Sequence, residues 1–283
     1  MSALVAIPTH EREPLVRHCL STVAELVLPP GSEVVVFDDA SPVMDVERLM
    51  HEAGLPVLCH RAEMQRGPSR TSCVMWRHFL DGRHRHLLIL DSDMIANRTA
   101  VMDGLRLRKG FDGLISLYNS RNHPGLPDGE DRLSKRTVGN AGTLWTRPLA
   151  ERVLAELGSN QTLVNIDDAY CTLFGQRGVP IVAFERSRVQ HLGIVGTNNR
   201  YFGGFEHGLG FRPDSDRQAL AILAIYDELM SRQEDYVRPP RQRFSPATKL
   251  ARWLARKVRR AARRDRGNGR SRGTFWSDEK NGA

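Results

Sequence analysis

Short, uninterrupted apolar runs, spaced by stretches of helical periodicity, constrain the fold of this chain more than any other feature. Leu4-Val5-Ala6-Ile7, Val34-Val35-Val36-Phe37 and Leu87-Leu88-Ile89-Leu90 are such runs. A strand with one wet face alternates apolar and polar residues, whereas a continuous run needs cover on both faces. Residues 56–59 and 113–117 read as further strands of this kind. Between the runs, apolar residues recur at helical spacing over 14–26 (Leu15, Cys19, Leu20, Val23, Leu26), 43–52 (Val46, Leu49, Met50) and 67–80. Pro29-Pro30-Gly31 ends the first helix. Alternating strands and helices specify an α/β protein with a Rossmann-like, mostly parallel central sheet flanked by helices.

Three polar clusters fall at predicted carboxyl ends of strands: Pro8-Thr9-His10, Asp38-Asp39 and Asp91-Ser92-Asp93. Ligands of open parallel sheets bind along that edge. Asp91 and Asp93 are expected to project to the same side, because side chains alternate along extended backbone. Two carboxylates forced together repel unless a cation or a donor intervenes. Hard oxygen ligands suit Mg²⁺ or Mn²⁺, ions that share their coordination with substrate phosphates. One reading is a metal site that holds a nucleotide diphosphate. The other is a strand end whose last Asp caps the next helix.

The second half is less regular. Strand segments are expected over 137–146, around Gly139-Asn140-Ala141-Gly142, and at 181–184 and 188–191. Helices are expected over 148–157, 167–176 and 214–232. The segment 193–210, rich in Gly, Asn and aromatic residues, has the composition of a mobile lid, and its Tyr201, Phe202 and Phe205 suit stacking on an acceptor and equally anchoring of the loop to the body. Trp145 reads as core.

Of 283 residues, 40% are hydrophobic and 26% charged, as in soluble globular proteins. The opening Met1-Ser2-Ala3-Leu4 has no basic n-region of a signal peptide. No stretch approaches the roughly 20 apolar residues of a membrane span. Cys19, Cys59, Cys73 and Cys171 have no metal-type spacing and read as reduced thiols. The expected location is therefore cytoplasmic.

The motifs, taken in order, resemble the inverting GT-A glycosyltransferases, especially glycosyltransferase family 2. Val5 to Arg12 (VAIPTHER) is similar to that family's opening strand and Pro-Thr-Tyr-Asn-Arg turn. Val34 to Ser41 (VVVFDDAS) resembles its Val-Asp-Asp-Gly-Ser segment, and Gln65-Arg66-Gly67-Pro68-Ser69-Arg70 its Asn-x-Gly stretch. Leu90-Asp91-Ser92-Asp93 matches its Asp-x-Asp. Gly139 to Gly142 with Arg147 resembles its Gly-rich strand before a basic residue. Asp167-Asp168, followed by Gly178-Val179-Pro180, looks like its acidic pair and the turn after the next helix. The likeness runs over about residues 3–192. His10-Glu11, Gln65 and Ser72-Cys73 depart from it.

The resemblance implies a metal-dependent, inverting transfer of a sugar from a nucleotide-diphosphate donor to an acceptor hydroxyl. Polysaccharide, glycolipid or another glycoconjugate would be the product. Asp93 is the expected direct ligand of Mn²⁺ or Mg²⁺, with His191 a further ligand or a packed histidine. Asp91 is expected at the ribose or on a metal-bound water. Pro8, Thr9, Asp38, Asp39, Arg66, Arg70 and Ser92 are the other nucleotide-binding candidates, and a UDP-sugar is favoured over TDP- and GDP-sugars because a carboxylate can accept the uracil N3–H. Asn140 and Gly142 are the donor- or acceptor-binding candidates. Asp168 is the expected general base and Asp167 the fallback; both also suit a helix start.

Charge divides the chain. Residues 238–272 hold 14 Lys or Arg and one acid, which leaves 27 basic and 32 acidic residues elsewhere, so the overall +8 originates in that segment. The expected domains are 1–237, with a nucleotide-binding half 1–120 and an acceptor half 121–237, and a basic tail 238–283. Within 248–264, Leu250, Trp253, Leu254, Val258 and Ala261 recur at helical spacing. A basic amphipathic helix of this kind suits an anionic membrane surface at the inner face. It equally suits packing on its own domain, and less well nucleic acid. The competing functions are glycosyl transfer to nucleic acid through the tail, nucleotidyl transfer, and non-enzymatic nucleic-acid binding. Nucleotidyl transfer calls for a Gly-rich loop behind the first strand, where this chain has Pro8-Thr9-His10-Glu11-Arg12.

Overall fold

The computed structural model describes residues 2–158, 165–193 and 207–231. The predicted basic helix, the tail and residues 194–206 of the predicted lid, with Tyr201, Phe202 and Phe205, lie outside the described residues.

The first strands are β1 (Ala3–Thr9), β2 (Glu33–Asp38), β3 (Cys59–Arg61), β4 (His86–Ile89) and β5 (Met94–Ala96). They are followed by β6 (Leu114–Ser116), β7 (Gly125–Pro127), β8 (Arg132–Lys135), β9 (Thr143–Thr146), β10 (Ile181–Phe184) and β11 (Val189–His191). Nine of these form one sheet in the order β3-β2-β1-β4-β9-β6-β10-β8-β7, and β5 pairs antiparallel with β11 in a second, two-stranded sheet. β1, β2, β3 and β4 run parallel, as do β6 and β10, whereas β9 runs antiparallel between β4 and β6. The fold is the expected α/β sheet of mostly parallel strands between helices.

Both faces of the sheet are covered, which explains the continuous apolar runs. Val5, Ile7, Val34, Val36, Leu88 and Leu90 face one core, together with α1 (Glu13–Val23), α2 (Val46–Glu52) and α4 (Ala100–Arg108). Their sequence neighbours Leu4, Ala6, Val35, Phe37, Leu87 and Ile89 face the other, against α3 (Pro68–Asp81), α5 (Arg147–Leu157) and α6 (Ile166–Arg177). A last helix, α7, spans Asp216–Ser231.

Local chemistry sets several boundaries. Asp45 caps α2 by accepting the Arg48 N–H at 2.9 Å. Arg147 donates to the carbonyls of Phe79, Leu80, Gly82 and His84, so the end of α3 is closed by a cation, as a helix C-terminus favours. Gly178, with φ 66°, ends α6 in the left-handed conformation.

Three expectations are corrected. The third strand lies at Cys59–Arg61 rather than 56–59: its register is set by Val36, Phe37 and Asp38 of β2, not by the preceding apolar residues. Gly139 to Gly142 is a turn, and only Thr143–Thr146 pairs with β4. Asp91-Ser92-Asp93 is likewise not extended. The Met94 N–H bonds the Asp91 carbonyl at 3.0 Å, which makes the segment a turn between β4 and β5.

Candidate active site

The turns after β1 and β4, the segment after β2 and the start of α3 enclose one cavity of about 290 Å³. Pro8, Thr9, His10, Asp39, Asp91, Ser92, Asp93 and His191 line it, with Arg12, Gln65, Gly67, Pro68, Thr71 and Gly193. It lies at the carboxyl edge of the parallel strands, where open α/β sheets bind ligands. Thr9 Oγ1 is buried there without a hydrogen-bond partner among the described residues.

Asp93 and His191 meet because of the second sheet. β5 begins one residue after Asp93 and pairs antiparallel with β11, placing Met94 opposite His191. The Leu192 N–H then bonds the Asp93 carbonyl at 2.6 Å. As a result His191 Nε2 stands 3.3 Å from Asp93 Oδ1, while Arg12 Nη2 donates to Asp93 Oδ2. Burial alone would push the Asp93 carboxyl up, but His191 and Arg12 outweigh it and hold the group well below the ordinary carboxylate range. Asp91 moves the other way, because burial and the Asp93 charge push it up to about 7. Burial disfavours the His191 cation, yet Asp93 and Asp91 raise it above the ordinary imidazole value.

Asp39 is committed to backbone, whereas Asp38 keeps Oδ2 without a hydrogen bond among the described residues, 3.6 Å from Arg61 Nε. Asp39 accepts the N–H groups of Arg66 and Gly67, both at 2.7 Å, which ties the entry of α3 to the end of β2. Asp38 accepts from the Ser41 N–H at 3.1 Å and the Ser41 hydroxyl at 2.5 Å. Asp38 and Arg66 border a second cavity of about 200 Å³ beside the first, with Phe37, His60 and Arg61. Arg70 is exposed on the first turn of α3. Asn140 donates to Ser72 Oγ at 3.0 Å, and its Oδ1 is buried without a partner among the described residues. Gly142, with φ 72°, sits where a Cβ would stand 3.2 Å from the Tyr118 Cβ, so it serves the close approach of two segments.

Asp167 and Asp168 open α6, whose N-cap Asn165 makes no side-chain cap. Asp167 is half-buried and its charge adds to the upward push on Asp91, so it belongs to the electrostatics of the cavity without lining it. Asp168 is exposed and accepts from Asn165 Nδ2 at 3.4 Å. Trp145 is fully buried.

Of the lining residues to which the sequence reading assigns no role, Arg12 and Gly193 stand against Asp93. Arg12 stands inside a quoted motif, but its reach to Asp93 depends on a turn that composition does not reveal. Gly193 packs so closely that a Cβ would stand 2.5 Å from Asp93 Oδ2.

A divalent cation suits part of this arrangement. Among the described residues no three His, Cys, Asp or Glu side chains converge on one point. The 3.3 Å between Asp93 Oδ1 and His191 Nε2, however, is near the roughly 3 Å that separates adjacent ligands at bonds of about 2.1 Å. Mg²⁺ and Mn²⁺ in nucleotide sites take one or two protein groups and complete their shells with phosphate oxygens and water. Asp93 and His191, with Asp91 behind them, fit that kind of seat.

No family model matches the chain, and no curated protein matches it. Solved structures with a related arrangement include S. aureus TarS 1-349 in complex with UDP-GlcNAc, at 16% identity and a TM-score of 0.49 over 67% of this chain and 58% of that one. Full TarS aligns at 18% identity and a TM-score of 0.49, over 67% of this chain and 36% of TarS. The mannosyltransferase PcManGT from Pyrobaculum calidifontis, in complex with GDP-Man and Mn²⁺, aligns at 14% identity and a TM-score of 0.49 over 90% of this chain and 80% of that one. This chain spans about 60% of TarS 1-349, which is 18% identical with a TM-score of 0.48.

Proposed function

We propose that the chain is a metal-dependent, inverting glycosyltransferase that uses a nucleotide-diphosphate sugar, with a UDP-sugar favoured. The observation that carries the reading is the cavity at the strand ends, where Thr9, Asp39, Asp91, Ser92, Asp93 and His191 meet. The motifs that resemble family 2 supply all of these except His191. In this reading residues 1–120 bind the nucleotide, 121–237 the acceptor, and 238–283 form an appendage.

Asp93 with His191 and Asp91 would hold Mn²⁺ or Mg²⁺, which when bound supplies positive charge against a departing diphosphate. The chain's own residues supply the rest. The start of α3, tied down by Asp39, presents a helix N-terminus to the cavity, a suitable end for an anion. Thr9, with Pro8, offers a hydroxyl to the nucleoside from the floor of the cavity. Asp168, or Asp167, removes the proton from the acceptor hydroxyl as it attacks the face opposite the leaving group. A positioned carboxylate contributes about 10²–10⁴-fold in such a role.

Two measurements test the proposal. In a thermal-shift screen of nucleotide sugars with and without Mn²⁺, at least one nucleotide is expected to raise Tm in a metal-dependent way. If none does, the donor reading fails. For the base, Asp168→Asn is expected to cut transfer at least a hundredfold while leaving donor-induced stabilisation intact. If Asp167→Asn alone has that effect, the base moves to Asp167, and if neither does, the inverting mechanism loses its base.

The segment 248–264 is proposed to rest on an anionic membrane surface, bringing the site near a lipid-linked acceptor. Among the described residues no helix is long and apolar enough to cross a membrane.

A further inference from the structure

Arg12 enters the cavity from a strained turn. Glu11 and Arg12 both carry left-handed backbone, at φ 57° and 65°, although neither is glycine. L-residues avoid that region, and it persists where the surroundings impose it. Here Ser41 imposes it: its hydroxyl accepts the Glu11 N–H at 2.9 Å and is itself held by Asp38. The Arg12 carbonyl then starts α1 by accepting the Leu15 and Val16 N–H groups. From this fixed base the guanidinium crosses the cavity wall to Asp93 Oδ2. Its side chain stays 35% exposed and lines the cavity. Gly193 closes over the pair, since a Cβ there would stand 3.2 Å from Arg12 Nη1 as well as 2.5 Å from Asp93 Oδ2.

Asp93 is also the carboxylate assigned above to the divalent cation. A guanidinium and a divalent ion on one carboxylate repel each other, and partial burial weakens the screening between them. We propose that Arg12 is a built-in competitor for the cation seat. Its ion pair with Asp93 opposes a divalent ion until a diphosphate enters and takes the guanidinium. The inference deepens the donor site of the glycosyltransferase reading and rests on it. Diphosphate oxygens match the planar fork of a guanidinium, so the donor offers Arg12 a better partner while bringing ligands for the cation. Cation and nucleotide then bind with positive coupling, each raising the affinity of the other by the same factor.

Mn²⁺ binding to the full chain, read from the free-ion EPR signal with no nucleotide, with UDP and with GDP, tests this. Arg12→Asn and Arg12→Gly both remove the guanidinium and both tolerate left-handed backbone, and Arg12→Lys keeps a charge at the site. Without nucleotide, the Asn and Gly variants are expected to bind Mn²⁺ at least tenfold more tightly than wild type. The gain in Mn²⁺ affinity on adding nucleotide is expected to shrink by the same factor, with Arg12→Lys between wild type and the other two. Mn²⁺ affinity that is equal to or weaker than wild type in both variants overturns the proposal. If UDP or GDP still improves Mn²⁺ binding in that case, the donor reading survives. If Mn²⁺ binds none of the proteins under any condition, the proposal falls together with the metal site.

Discussion

Gly193 shows how much of this site depends on a side chain that is absent. Its backbone packs where a Cβ would stand 2.5 Å from Asp93 Oδ2 and 3.0 Å from His191 Cε1. Asp93 cannot give way easily, because it is buried and held from two sides by Arg12 and His191. Gly193→Ala is therefore expected to force the three groups apart. Overpacking of this kind costs about 1–3 kcal/mol. Displacing Asp93 from the proposed cation seat is expected to cost transition-state binding a similar amount, so at about 1.4 kcal/mol per tenfold kcat/KM for the donor falls roughly five- to 140-fold. Steady-state kinetics beside a circular-dichroism melt checks this; unchanged kcat/KM would mean that the Asp93 environment tolerates the methyl group. At this scale the chain was partly readable. Asp91-Ser92-Asp93 and His191 stand out as residue types suited to a cation, and the structure brings them to one cavity. Their meeting was not readable, because it follows from the pairing of β5 with β11, each only three residues long. Arg12 was hidden for a different reason: a non-glycine residue in left-handed backbone leaves no compositional trace.

Elements were legible in proportion to how much apolar surface they bury. α1, α3, α5, α6 and the strands β1, β2, β4 and β10 face the two cores; helical periodicity marks α1, α3 and α5, continuous apolar runs mark the strands, and Gly178-Val179-Pro180 marks the end of α6. β7 and β8 form an edge hairpin with polar Arg132, Ser134 and Lys135, so no apolar pattern announces them. α4 leaves little pattern as well, because its buried side includes the small Ala100 and Gly104. In the core between α3, α6 and β9, Trp76, Trp145, Tyr170 and Phe174 pack ring against ring, with Trp145 and Tyr170 centroids 5.0 Å apart and nearly perpendicular. This cluster holds α6, and with it Asp167 and Asp168, against α3 and β9. The Tyr170 hydroxyl is buried without a hydrogen-bond partner among the described residues, and burial raises its pKa well above the ordinary phenol value. An unpaired buried hydroxyl costs about 1–3 kcal/mol of desolvation. Tyr170→Phe is expected to leave stability unchanged or raise it by up to about 1 kcal/mol, while Tyr170→Ala loses about 3–5 kcal/mol of packing. Urea unfolding of the three proteins separates these cases. A loss of more than about 1 kcal/mol in the Phe variant would show that the hydroxyl has a partner in solution.

At the scale of the whole molecule the charge is divided between two segments. Outside 238–272 the chain carries 27 Lys or Arg against 32 Asp or Glu, whereas that segment carries 14 against one. The cavity and its acids belong to the first part, so under the proposed function donor chemistry is not expected to require the second. The second has the composition to seek an anionic surface, where each Lys or Arg near the bilayer contributes about 1 kcal/mol until salt screens it. A chain that ends after Val237 is accordingly expected to retain donor hydrolysis within about twofold, a rate difference worth only about 0.4 kcal/mol. The same truncation is expected to abolish co-sedimentation with phosphatidylserine-containing vesicles, and the full chain to lose that binding between about 50 and 500 mM salt. Loss of hydrolysis on truncation would place part of the catalytic machinery beyond residue 237. Vesicle binding that survives both truncation and high salt would move the membrane-seeking surface onto residues 1–237. Binding by the full chain to duplex DNA but not to vesicles would reassign the basic segment to nucleic acid, since the same cations neutralise either kind of phosphate.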